Sequence, residues 1–252
     1  MGAAFSLVLP GVGLLLAMTA LWRIGVALHR RAGAGTETAG ESYVLSGAFG
    51  LLALLMAFAF SLAIGRYETR RLLVIDEANA IGTMSTRLAL LEDRQRAPLA
   101  ADLARYARAR AAVGRNAADD AWQAAHAASA RDCASFGDAL FATLRSMPPD
   151  TRGPVLVQAY NAMCDITTSR HAARSARLPT EVLGLLALYC CACTALLGFT
   201  TGRADWRSGV SSVLFFTLLA AAYVTILDLD SPRSGAIIVP QEELDNVAQS
   251  LR

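Results

Sequence analysis

Four stretches of this 252-residue chain carry no charged side chain: Ala3–Trp22, Tyr43–Ile64, Val182–Thr200 and Val210–Leu227. They hold 20, 22, 19 and 18 residues, and a helix needs roughly 20 to cross about 30 Å of hydrocarbon. Hydrocarbon offers the backbone no hydrogen-bond partner, so such stretches must satisfy it internally, as helices. The chain is therefore expected to be an all-α integral membrane protein with four transmembrane helices. No basic leader precedes the first stretch and no small-x-small cleavage site follows Trp22-Arg23, so it is expected to be retained as a helix.

The stretches pair into two hairpins. Residues 1–65 make the first, with spans 3–22 and 43–64 joined by the Gly/Thr/Ala-rich loop Arg31–Glu41. Residues 180–228 make the second, with spans 182–200 and 210–227 around a tight turn at Gly202–Gly209. Residues 66–179 between them are hydrophilic, rich in Ala, Leu and Arg and poor in β-branched residues, which predicts a helical block. Pro98 is predicted in the first turn of a helix, and Asn116 is predicted to cap the next, with Asp119 and Asp120 in its first turn. Pro148-Pro149 should stop that helix, Asp150 start another, and Pro179 mark the beginning of the third span. Residues 229–252 predict an acidic turn and then an amphipathic helix, with Leu244, Val247, Ala248 and Leu251 on one face, docked on the block.

Charge narrows the function. All 23 basic residues are arginine, set against 21 acids for a net charge of +2. That balance offers no field for nucleic acid. Sixteen of the 23 arginines fall within Gly65–Leu178. Near the span ends, Arg66, Arg70, Arg71, Arg170, Arg174, Arg177 and Arg233 lie on the block's side, against Arg23, Arg30, Arg31, Arg203 and Arg207 opposite. By the positive-inside rule, seven against five favours a cytoplasmic block with both termini inside. Five cysteines, an odd number without CxxC spacing, exclude a disulfide-stapled module. Cys133 and Cys164 would be reduced in a cytoplasmic block and able to pair on an oxidising side. Three scattered histidines, and no metalloprotease, nucleophile-elbow or phosphate-loop motif, argue against an enzyme.

Four constellations carry the functional expectations. In the second span Gly50, Ala53, Ala57, Ser61 and Gly65 form a small-residue stripe that lets helix backbones approach closely, within the subunit or between subunits. A second face carries Leu51, Leu55, Phe58 and Leu62. Copies of this ridge around an axis would make apolar collars that gate by dewetting; alone it is a lipid-facing or core stripe. Beyond the span, Val74, Ile81 and Leu88 recur every seven residues, as do Glu77, Met84 and Leu91. Glu77 thus occupies an apolar slot of a coiled-coil-like seam, either in a structural salt bridge or, with Asn79, in a polar vestibule below a pore. After the fourth span, Asp228 and Asp230 flank a Pro/Gly turn and could contribute to a Ca2+ site, unless Arg233 neutralises them. No other cofactor is expected.

The segment Gly65-Arg-Tyr-Glu-Thr-Arg-Arg-Leu-Leu-Val-Ile-Asp-Glu-Ala-Asn-Ala-Ile-Gly82, with Arg87 after it, resembles the signature of the bestrophin-like membrane proteins of bacteria and plants. The Asp228-Leu-Asp-Ser-Pro-Arg-Ser-Gly235 stretch, with Val239 and Leu244, resembles the same family. That family is in turn distantly similar to bestrophins, pentameric anion channels with an apolar neck in the second span. The resemblance implies a homo-oligomer, a pentamer by analogy, whose neck is the Leu51–Leu62 ridge. Where a bestrophin has Pro-Phe this chain has Pro232-Arg233, and the dense acidic calcium clasp is absent.

The functional expectation is passive conduction of small, chloride-like anions through a pore lined by the second span, with Arg66 and Arg70 concentrating anions at the cytoplasmic mouth. The alternative is a membrane-anchored helical scaffold or signalling protein that recruits a cytoplasmic partner without conducting ions. It is motivated by the size of the block and by spans free of the ionisable residues that mark transport sites.

Overall fold

Helices alone answer the backbone's demand for internal hydrogen bonds. The computed structural model describes residues 2–32, 39–115, 119–202, 206–232 and 235–251. Among these are eight helices and no strand: α1 (Gly2–Ala32), α2 (Ala39–Leu88), α3 (Asp93–Arg115), α4 (Asp119–Ser146), α5 (Arg152–Ser175), α6 (Thr180–Thr201), α7 (Trp206–Asp230) and α8 (Glu242–Ser250). α1, α2, α6 and α7 contain the four apolar runs and are long and apolar enough to cross a membrane. α2 has 50 residues, because nothing between its apolar half and the seam breaks a helix: no proline falls there, and Gly65 alone costs only about 1 kcal/mol. The chain divides into two compact units, residues 1–67 with 177–238, and residues 68–176 with 239–252.

The first unit is built on α1. Leu14, Met18, Trp22 and Val26, at spacings of four, pack with Leu186, Cys190 and Cys193 of α6 and Phe216, Ala220 and Tyr223 of α7. α1 and α6 approach nearly backbone to backbone. A Cβ on Gly198 would stand 2.1 Å from the Trp22 carbonyl oxygen, and one on Gly25 would stand 2.2 Å from that of Ala195. In lipid, where burial of apolar surface drives little, such close approach is what holds helices together. Gly202 closes α6 in the left-handed conformation, φ 58°, which glycine adopts without a Cβ penalty.

The second unit packs the lower half of α2 with α3, α4, α5 and α8. Both predicted seam rows are buried: Val74, Ile81 and Leu88, and Glu77, Met84 and Leu91. Also buried in this unit are Leu99, Leu103 and Tyr106 of α3, Phe136 and Leu140 of α4, and Leu156 and Met163 of α5. α8 buries Leu244 and Ala248 and packs on α3. Local signals mostly hold: α4 ends before Pro148-Pro149, and the Asp150 carboxylate accepts from the Arg152 backbone N–H at 2.9 Å where α5 begins. Pro98 is a correction. It lies inside α3, which starts at Asp93; the Glu92 carbonyl accepts from the Gln95 and Arg96 amides, opening the helix a turn earlier. The Asn116 cap, Arg203, Arg233, and the centres of the Arg31–Glu41 and Gly202–Gly209 connections lie outside the described residues.

Candidate functional site: the two halves of α2

In the first unit, α2 commits one narrow face to the chain's own core: Leu52, Met56, Ala59 and Ala63. At 3.6 residues per turn, the ridge of Leu51, Leu55, Phe58 and Leu62 sits about 100° round the helix from that face, and the small-residue stripe about 150° round. Leu51, Phe58 and Leu62 are 46%, 61% and 55% exposed, and only Leu55 leans against the core. The ridge is therefore not a core stripe of this chain. Gly50, Ala53, Ala57, Ser61 and Gly65 are exposed as well, and a Cβ on Gly50 or Gly65 would meet nothing within 4 Å. Packing within the chain does not use the stripe. Phe49 at its edge meets Phe215 of α7 edge-on at 5.3 Å.

Four residues were expected at the vestibule and its mouth: Arg66, Arg70, Glu77 and Asn79. Arg66 lies in the first unit, next to the point where α2 leaves it, and is half-buried. Arg70 is buried, and its Nε and Nη2 donate to the carbonyls of Ala173 and Ala176 at 3.2 and 3.1 Å. It caps the C-terminus of α5, where orphan carbonyls and the helix dipole favour a cation, so it is not an open electrostatic lure. Glu77 is fully buried. It accepts from Arg110 Nε and from Arg170 Nη1, and from Arg110 Nη2 at 3.3 Å. Arg110 Nη1 reaches Ser129 at 3.1 Å, and Arg170 Nη2 reaches Gln241 at 3.0 Å. One carboxylate thereby joins α2, α3, α4 and α5 to the residue preceding α8. Burial alone would raise the Glu77 pKa, but the two guanidiniums hold it below the usual carboxylate range. Of the two expectations for Glu77, the structural salt bridge is the arrangement found.

Asn79, two residues on, faces the other way. It is exposed and lines an open groove of about 730 Å³ with Thr83, Thr86 and Arg87 of α2 and Glu243 and Asn246 of α8. The Glu-Ala-Asn-Ala-Ile-Gly segment thus has two faces: Glu77 and Ile81 fix the core, while Asn79 and Gly82 border the groove.

Asp228 and Asp230 both accept backbone amides. Asp228 Oδ1 accepts from Ala236 at 3.0 Å and Oδ2 from Ile237 at 3.2 Å, folding the turn back onto the end of α7. Asp230 accepts from Leu178 at 2.9 Å just ahead of α6. Both carboxylates are thus engaged by backbone amides, and among the described residues no group of three His, Cys, Asp or Glu could hold a metal.

Sequence reasoning missed one cluster. Trp122 and His126 of α4 and His171 of α5 lie nearly parallel, at centroid distances of 4.9, 5.3 and 5.0 Å, with Arg174 4.5 Å above the indole. Arg110 Nη1 stands 3.4 Å from His126 Nδ1, so that nitrogen is the acceptor. Burial, then Arg110 and His171, depress the His126 pKa. The i, i+4 spacing of Trp122 and His126 was visible, but nothing local brought in His171.

The bestrophin-like domain family matches residues 7–244. No curated protein matches the sequence. A crystal structure of a bacterial bestrophin homologue from Klebsiella pneumoniae superposes with a TM-score of 0.70 at 13% identity, covering 97% of this chain and 96% of that one. A variant of that homologue gives 0.74 at 12% identity, covering 98% and 97%. At such identities the likeness is one of fold.

Proposed function

Because this chain belongs to the bestrophin-like family, we propose that it assembles with copies of itself into a channel that conducts small anions passively along α2. The observation that carries this reading is the ridge. Leu51, Phe58 and Leu62 project from a membrane helix whose core face points elsewhere, as collars around a shared axis require. The outward small-residue stripe gives neighbouring helices a close-packing surface. Family resemblance supplies the expected subunit number, five. Arg66 remains the candidate for raising local anion concentration at the pore mouth, with Arg70 committed to α5. Seven arginines against five near the span ends support an orientation with residues 66–179 and both termini in the cytoplasm, and the family's bacterial members support an inner membrane.

The test is current across a planar bilayer holding purified protein under a KCl gradient. Reversal near the chloride equilibrium value supports an anion pore, and reversal near the potassium value overturns the selectivity. Replacing Leu51, Leu55 and Phe58 together by Ala should widen or destabilise the constriction and change the unitary conductance. An unchanged conductance removes the ridge from the pore. Silence from intact oligomers over repeated incorporations favours the scaffold that recruits a cytoplasmic partner.

A further inference from the structure

Cys133 on α4 and Cys164 on α5 take no part in the α2 site. They are far apart in the chain, yet their sulfurs stand 3.0 Å from each other across the α4–α5 hairpin, about 1 Å beyond a disulfide bond length. Both are free thiols and half-buried, open enough for a small oxidant. The pair is asymmetric. Either sulfur can donate across this contact, and hydrogen bonding of Cys164 with Cys133, and then with the Tyr160 hydroxyl one turn earlier on α5, outweighs burial to bring its pKa to about 7. Cys133, hydrogen-bonded to Cys164 and half-buried, is pushed well above the ordinary thiol value. Such a pair holds one sulfur as a nucleophile near neutral pH and keeps the other protonated beside it.

We propose that Cys133 and Cys164 form a hydroperoxide-reactive dithiol, in which Cys164 attacks the peroxide and Cys133 resolves it. The Cys164 thiolate attacks one peroxide oxygen, and the O–O bond breaks. Cys164 becomes a sulfenic acid, and the leaving oxygen departs as hydroxide, protonated to water. The Cys133 thiol then gives up its proton and attacks the sulfenic sulfur, forming the S–S bond and releasing a second water. Two thiols lose two electrons together, and hydrogen peroxide is reduced to two waters. The bond falls one turn from Ser129, which Arg110 holds, and three residues from Thr167, which bonds Tyr106 at 2.9 Å. Oxidation therefore staples α4 to α5 beside the Glu77 network.

The test uses the full chain in detergent, reduced and then given equimolar hydrogen peroxide. The sequence has no lysine, so trypsin cuts only after arginine, and peptides 132–145 and 153–170 each carry one of the two cysteines. A linked pair about 2 Da lighter than the sum of the two peptides should form within minutes, faster as pH rises through 7, and vanish with dithiothreitol. Closing the hairpin should also raise the unfolding midpoint by about 5 °C. In the Cys133→Ser variant, dimedone should trap a sulfenic acid on Cys164, and in Cys164→Ser it should label Cys133 far less. Absence of the linked pair from the wild-type digest overturns the dithiol whatever the variants do. Heavier labelling of Cys133 than of Cys164 overturns the assignment of roles.

Discussion

At the scale of single residues, Glu77 matters most, because it is the fully buried anion on which two guanidiniums converge. Glu77→Gln leaves Arg110, itself buried, without its counter-charge, and should lower the unfolding free energy of the helical unit by about 3 kcal/mol in urea titrations. The pH dependence follows from the depressed carboxyl. Between the folded-state value and the ordinary glutamate value of 4.5, the unfolded chain binds a proton that the folded chain does not, so stability falls as pH falls through that window. The variant should flatten this acid limb; a limb of unchanged slope would assign the protonation elsewhere. Asp230→Ala strips the Leu178 amide of its acceptor and should cost about 1–3 kcal/mol by thermal unfolding in detergent. Half of the Glu77 arrangement was legible in the sequence. The seam placed a carboxylate in an apolar slot, and Arg110 continues the apolar face of Leu99, Leu103 and Tyr106 at spacings of four, three and four. Arg170, on a helix 60 residues further on, left no such trace.

At the scale of elements, two helix contacts follow different rules. The α1–α6 crossing depends on Gly25 and Gly198, where any Cβ would collide with the facing backbone. Gly198→Val should destabilise the membrane unit by about 3 kcal/mol, the overpacking range, and appear as a lowered unfolding midpoint by tryptophan fluorescence. Gly50→Ala, at a position with nothing within 4 Å, should move that midpoint little. Equal effects from the two would mean that the α2 stripe is packed inside the subunit after all. Element boundaries were well marked where chemistry is local, at Pro148-Pro149, at Pro179 and at Asp150. They slipped at Pro98 because a proline is tolerated wherever the preceding turn can forgo one amide, and here Asp93 had already started the helix.

At the scale of the whole molecule, the channel reading needs more than one copy, since one α2 cannot ring an axis. Light scattering in mild detergent should give a multiple of the chain mass, with five as the expected number. A monomer would leave the exposed ridge as a lipid-facing stripe and the helical unit as the protein's working part. The spans were legible because the signal is one-dimensional: a run of uncharged residues long enough to cross hydrocarbon forms a helix whatever surrounds it. Which face of α2 points inward was not legible, because several of its faces are apolar and hydropathy is blind to direction where the solvent is lipid.

The sequence by itself therefore determined four membrane helices, the helical block with its buried seam, and the family, since each rests on composition, period or a contiguous motif. Only the tertiary structure decided the partners. It drew Arg170 to Glu77, turned Arg70 to the end of α5, and set Asp228 and Asp230 on backbone amides. It also stacked His171 on Trp122 and brought Cys164 to Cys133. All but the Asp228 turn span tens of residues of chain, and a buried charge or thiol specifies only that it needs a partner, leaving the packing of distant helices to choose which one.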